Sequence, residues 1–179
     1  MQKLARHNRD KLIDILSERL AFERASVKLY DVVLSKMRNL KDPVSIRLYA
    51  PLEDFRGHEK EHEEWLESQL RALGATGHER TDRADLVERE SIGIERVVRG
   101  DDDVVHLVHA LLTAELVDNA GWELLLELAD DADDDVARRD FRKRLHEEEE
   151  HLSELRRAML SIVRREVLGS IRVPPMPAE

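Results

Sequence analysis

The sequence predicts an all-α protein: a four-helix bundle with one long crossover between helices two and three. Three observations carry that expectation. Apolar residues recur at helical spacing in four long segments. Charged residues make up 38% of the chain and aromatics 4%, with 7 Gly and 5 Pro, which suits long helices with solvated faces better than sheets. The connections between segments run short, long, short, which pairs the helices into two antiparallel hairpins joined by a crossover. At 179 residues the chain is long enough for one domain with a substantial core and too short for two comfortable ones.

The first helix spans about residues 8–40, where Leu12, Leu16, Leu20, Val27, Tyr30, Leu34 and Met37 form one stripe that includes Glu23. Asp42-Pro43 stops it. The second spans about 51–73, with Pro51 suited to a first turn and Gly74 to the cap beyond the end. Its stripe is Leu52, Phe55, Glu59, His62, Leu66, Leu70 and Leu73, so two polar residues occupy the centre of an apolar seam. The third spans about 103–129 and opens on aspartates, which favour a helix N-terminus. Val108, Leu111, Leu112, Trp122, Leu126 and Ala129 line it, with Glu115 in phase. The fourth, about 133–165, carries Phe141, Leu145, Leu155, Met159 and Ile162, with Glu148 and His151 on the same stripe. The connection over 74–102 is long enough to traverse the ~35–40 Å of a helix and contains a short helix around 84–98. The bundle domain is therefore placed at 1–168. Residues 169–179 form a Pro-rich tail in which Pro174, Pro175 and Pro177 forbid helix, leaving a frayed end or a strap onto a neighbouring subunit.

The two hairpins resemble each other. A shift of 92 residues superposes Leu20 on Leu112, Glu23 on Glu115, Tyr30 on Trp122 and Leu34 on Leu126. A shift of 89 superposes Glu59 on Glu148, His62 on His151, Leu66 on Leu155 and Leu70 on Met159. Two similar hairpins would pack with pseudo-two-fold symmetry and bring their polar seams to the centre. A Glu-x-x-His pair alone is close to chance in so glutamate-rich a chain; phase and partnership give these two their weight. Four carboxylates converging in a core without a cation would repel one another and lose hydration. Residues three apart share a helix face, so each Glu/His pair can grip one metal, and the lone glutamates complete or bridge the two. Carboxylate oxygens with one imidazole per metal suit iron or manganese, and zinc could also enter.

With these motifs the chain resembles the ferritin-like superfamily of di-iron carboxylate proteins, near the bacterioferritin and rubrerythrin type, over residues 8–165. The resemblance implies a ferritin-like bundle holding two iron ions, with manganese, a mixed iron/manganese pair or substituting zinc as alternatives. It implies Glu23 and Glu115 as terminal ligands, Glu59 and Glu148 as bridges, and His62 and His151 each capping one metal. Tyr30 occupies the position of a tyrosine that lies near the metal pair in many relatives and hydrogen-bonds a ligand carboxylate; plain core packing is its alternative. The chemistry implied is ferroxidase or reduction of O2 or H2O2, as in defence against oxidative stress. A di-manganese catalase-like enzyme and a non-catalytic metal-binding or iron-storage bundle are the alternatives. The habit of such bundles implies a homodimer. Departures from the relatives are plain. Without cysteine there is no rubredoxin domain, no fifth helix is read after the bundle as in a ferritin cage, and Met37 and Met159 read as core rather than as haem ligands. The smaller DNA-protecting cages place their ligands between subunits, whereas here one chain supplies the full set.

Other polar residues read as periphery. His58 points about 100° away from Glu59, at the surface or behind the site. Glu63 and Asp118 could supply an extra or supporting carboxylate. His146 and Glu147 flank the site without binding, His106 and His109 are exposed or interface residues, and the acidic runs are helix starts or solvated faces. A net charge of −10 with no basic stripe argues against nucleic-acid binding. Zero cysteines exclude disulfides, thiolate chemistry and iron–sulfur clusters. No apolar signal core and no membrane-length apolar run are present, so the expectation is a cytoplasmic protein without membrane contact. Nothing suggests nucleophilic or phosphate chemistry.

Overall fold

The computed structural model describes residues 1–78 and 80–169. Among these residues there are five helices and no strands. The predicted tail over 170–179 lies outside the described residues.

Helix α1 covers Gln2–Met37 but is broken at Asn8, whose backbone (φ −161°, ψ 89°) is not helical. Asn8 Oδ1 accepts the Lys11 amide at 3.1 Å, so it caps the long stretch that the apolar stripe defines. The helix ends at Met37, three residues before the expected 40.

Helix α2 runs Pro43–Ala72 and so begins eight residues before Pro51, which sits inside the helix. This corrects the expected first-turn role of Pro51. Asp42 caps the earlier start, its Oδ1 accepting the Val44 and Ser45 amides at 3.0 Å, and Pro43 fills the first helical turn. The proline inside the helix costs about 3 kcal/mol. Against that, burial of Val44 and Leu48 contributes roughly 1.5–3 kcal/mol each and the cap about 1. The carbonyl that Pro51 leaves unbonded belongs to Arg47, which is exposed to water.

Helix α3, Asp82–Gly100, lies within the long connection where a short helix was expected. Thr81 caps it, and Ala84, Val87 and Val98 are its buried face. Helices α4 (Val104–Asp131) and α5 (Asp135–Leu168) are capped by Asp103 and Asp134.

Cross-helix contacts fix the directions. Arg9 reaches the carbonyl of Leu73, Arg24 bonds Glu63 and Glu67, Arg56 bonds Asp31 and Arg38 bonds Tyr49, so α1 and α2 are antiparallel. Ring contacts between Trp122 and Phe141 and the Arg138–Asp130 pair do the same for α4 and α5. Between α2 and α4 the chain follows α1, with Arg83 on Glu18 near one end and Lys36 on Asp102 at the other. The helices bury two apolar clusters. One contains Tyr30, Leu48, Leu52, Leu111 and Leu155; the other contains Leu16, Leu66, Leu70, Trp122 and Phe141. On α1, α2, α4 and α5 alike, a polar layer falls between the two. No helix among the described residues is long and apolar enough to cross a membrane.

Candidate metal centre

The apolar stripes carry six polar side chains into that layer. Glu23, Glu59, Glu148 and His151 are 0% exposed, and His62 and Glu115 are 1% exposed. Their placement follows from helical phase: each replaces an apolar residue at a core-facing position, so burying the stripe buries the carboxylate or imidazole with it.

His62 Nδ1 lies 3.2 Å from Glu148 Oε1 and 3.6 Å from Glu23 Oε2. His151 Nδ1 lies 3.2 Å from Glu115 Oε2, 3.3 Å from Glu59 Oε1 and 3.4 Å from Glu148 Oε2. Two overlapping groups could each hold a metal ion. One is Glu59, Glu115, Glu148 and His151; the other is Glu23, Glu59 and His62; the donor atoms of each lie within 4.8 Å of one another. Glu59 belongs to both groups, and Glu148 turns one oxygen to each histidine.

The donors divide by what else they touch. Glu115 Oε1 accepts the Tyr30 hydroxyl at 2.5 Å, and Glu23 Oε1 accepts Arg19 Nη2 at 3.3 Å. Both oxygens of Glu59, both oxygens of Glu148, Glu23 Oε2 and His62 Nδ1 are buried and make no well-aligned hydrogen bond among the described residues; their close polar neighbours are one another and His151 Nδ1. Unpartnered polar atoms in a core cost on the order of 1–3 kcal/mol each, more when charged. A pair of cations between them removes that cost, so the residues present fit a dinuclear metal centre.

Burial pushes Glu59 well above the ordinary glutamate range, and the nearby Glu115, Glu23 and Asp118 add to it. Glu148 is raised well above that range by burial and by Asp118, Glu59 and Glu115. Burial also acts to raise Glu23 and Glu115. It is outweighed by His62 and Arg19 for Glu23, and by His151 and Tyr30 for Glu115, so both lie below the usual value. Burial disfavours a charged His151, but Glu115 and Glu148 raise it to about 10; His62 is raised likewise by Glu147, Glu148 and Glu23. These shifts favour protons on the imidazoles and on Glu59 and Glu148, so metal binding to the cluster would release protons.

Two residues expected at the periphery, Glu147 and His58, touch the histidines of the cluster. Glu147 flanks it as expected, yet its Oε2 accepts His62 Nε2 at 2.9 Å, and Lys143 lies 3.1 Å from its other oxygen. His58 is half-buried with Nδ1 3.0 Å from His151 Nε2. Glu63 faces Arg24 and Lys60 instead of the cluster. Asp118, fully buried, pairs with Arg19. His106, His109 and His146 are exposed. Trp122 is core, packed edge-on to His62 at 5.4 Å.

Arg19 is the residue that sequence reading missed. It is buried, shared between Glu23 and Asp118, with its guanidinium 4.8 Å from the Phe22 ring. One signal was available: Gly121 in the interior of α4, where glycine costs about 1 kcal/mol relative to alanine. A Cβ there would run into the Arg19 guanidinium. Outside the cluster, a groove of about 890 Å³ lies between α1 and α3, with Leu20, Ala25, Leu29 and Ile92 in its walls; none of the six cluster residues lines it.

No protein-family model matches the sequence, and no curated protein matches it. Among solved structures, the fold is similar to a crystal structure described as ferritin-like, diiron-carboxylate proteins from Bacillus anthracis str. Ames. The TM-score is 0.64 at 18% identity, over 86% of this chain and 98% of that one. The chain therefore has a ferritin-like, all-α fold.

Proposed function

We propose that this protein is a non-haem dinuclear metal protein, with iron as its metal pair, that oxidises Fe(II) or reduces O2 or peroxide. The observation that carries the reading is the set of buried carboxylate and imidazole donors that four helices bring together at the centre of a ferritin-like fold, those of α1, α2 and α5 including atoms with no hydrogen-bond partner among the described residues. On this reading α1, α2, α4 and α5 are the bundle helices and α3 is part of the crossover.

The residues divide the work. Glu59 and Glu148, with neither oxygen hydrogen-bonded to a residue outside the cluster, would bridge. Glu23 and Glu115, each with one oxygen engaged from outside the six-residue cluster by Arg19 or Tyr30, would bind terminally through the other. His62 and His151 would bind through Nδ1, because Nε2 of each faces an outer partner, Glu147 or His58. Such partners orient a ligating imidazole and tune its basicity. Tyr30 holds a proton on Oη against Glu115, and burial with the neighbouring carboxylates raises it well above the ordinary phenol value, so it remains a donor. The apolar clusters on both sides exclude bulk water. Two iron ions, when bound, supply the two electrons for reduction of O2 or peroxide.

The same oxygen and imidazole donors suit manganese, so a di-manganese, catalase-like activity is the second reading. Metal content after growth in iron- and manganese-replete media, followed by peroxide turnover, separates the two. The primary test is anaerobic Fe(II) titration followed by exposure to O2 or H2O2. Two Fe(II) per chain, oxidised faster than in buffer, supports the proposal. Oxidation no faster than in buffer leaves a non-catalytic metal-binding protein.

A further inference from the structure

The pseudo-two-fold relation between the hairpins breaks at three positions that meet beside Glu23. The 92-residue shift that superposes Glu23 on Glu115 also superposes Arg19 on Leu111, Ser26 on Asp118 and Tyr30 on Trp122. Tyr30 donates its hydroxyl to Glu115 Oε1. Trp122 does not do the same for Glu23. Its single donor, Nε1, has no partner among the described residues, and its ring packs against His62, Trp65 and Phe141.

Glu23 Oε1 is nevertheless engaged, by Arg19 Nη2. The same nitrogen bonds Asp118 Oδ1, on the helix where the other half has its counterpart serine on α1. The arrangement fits together only because Gly121 offers no side chain where the guanidinium lies. Arg19 and Asp118 thus enter the core as a neutral pair, and they replace a phenol with a fixed, charged donor.

We propose that Arg19, held by Asp118, is a positioning residue that stands in for the missing second tyrosine and fixes Glu23 as a one-oxygen ligand. The two metal positions are then inequivalent. The one near His151 is set by the phenol of Tyr30, and the one near His62 by a guanidinium. The inference rests on the dinuclear reading above. Outer partners of this kind are typically worth 10–100-fold in metal affinity, and the loss should fall on one position only.

The test is Co(II) titration of the metal-free protein, followed by calorimetry and ligand-field absorption, with circular dichroism to check that each variant is folded. Wild type should bind two Co(II) per chain. The double variant Arg19→Leu/Asp118→Ser, which copies the other hairpin without its tyrosine, should lose affinity about 10–100-fold at one position and keep the other. Adding Trp122→Tyr should restore it. Tyr30→Phe should weaken the opposite position, so combining it with the double variant should weaken both. Should the double variant not fold, Arg19→Lys, which keeps the charge but whose shorter side chain ends short of the position of Nη2, should weaken the same single position. Unchanged affinities, equal loss at both positions, or no recovery with Trp122→Tyr would overturn the proposal while leaving two metals in the wild type. Failure of the wild type to bind two metals would overturn the dinuclear reading along with it.

Discussion

Gly121→Ala is a substitution for which helix propensity and the structure give opposite signs. Gly121 lies in the interior of α4, and exchanging glycine for alanine there should stabilise a free helix by about 1 kcal/mol. In the fold, the new Cβ meets the Arg19 side chain, whose guanidinium is held by Asp118 and Glu23 and has no solvent to turn into at 5% exposure. Displacing it gives up hydrogen bonds to charged partners worth about 1.5–3 kcal/mol, or the full 3–5 kcal/mol of a broken buried pair. After the ~1 kcal/mol helix gain, the net is a destabilisation of about 0.5–4 kcal/mol. Urea denaturation of the metal-free variant, with the slope checked against wild type, measures this directly. In a domain of this size the melting temperature should fall by roughly 2–4 °C per kcal/mol. A variant as stable as wild type, or more stable, would refute the placement of Arg19 against Gly121.

Three further outcomes are expected. Glu59→Ala combined with His62→Ala should remove one metal and weaken the second through loss of a bridge, read by metal analysis and calorimetry; two metals held with unchanged affinity would contradict the ligand assignment. Pro51→Ala should raise stability by up to ~3 kcal/mol, since the restored amide can reach the Arg47 carbonyl, and a loss of stability would mean that the ring itself is needed where it packs. Asp134 is raised by burial, but the Met1 amino group and the amides of Ala137 and Lys3 outweigh it and hold the carboxyl at about 2, below its ordinary 3.8. The stability it adds is therefore present above about pH 4 and lost as pH falls toward 2. The gap between wild type and Asp134→Asn, on the order of 2 kcal/mol near neutral pH, should narrow over that window, and a gap independent of pH would refute the assignment.

Much of this protein is legible in its sequence because helices announce themselves by period. The apolar stripes place Leu16, Leu52, Leu111 and Leu155 in the core, and the same phase places Glu23, Glu59, His62, Glu115, Glu148 and His151 beside them. Competing local signals were harder to rank. Pro51 reads as a helix start, yet Asp42 with Pro43 is the stronger cap once burial of Val44 and Leu48 is counted, and that burial is visible only in the fold.

Residues outside the stripe were less legible for a geometric reason. Phase says where a Cα–Cβ bond points, not how far a side chain reaches. His58 and Glu147 lie off the stripe, yet each bonds the outer nitrogen of a core histidine, because packing α2 against α5 brings their tips across the helix boundary. Arg19 illustrates the other limit. A buried arginine in an amphipathic helix is indistinguishable in sequence from a solvated one until its counter-charge and the glycine that makes room for it, both about a hundred residues away, are placed beside it.

A pair of metal ions between Glu59 and Glu148 would be seen most directly in an iron-anomalous crystal structure of the protein loaded with Fe(II). Two anomalous peaks are expected roughly 3.5–4 Å apart within each chain, the usual spacing of a two-metal site. Glu23 and His62 should flank one peak, and Glu115 and His151 the other. No peak in the core, or iron bound only at the exposed acidic runs, would contradict the dinuclear reading.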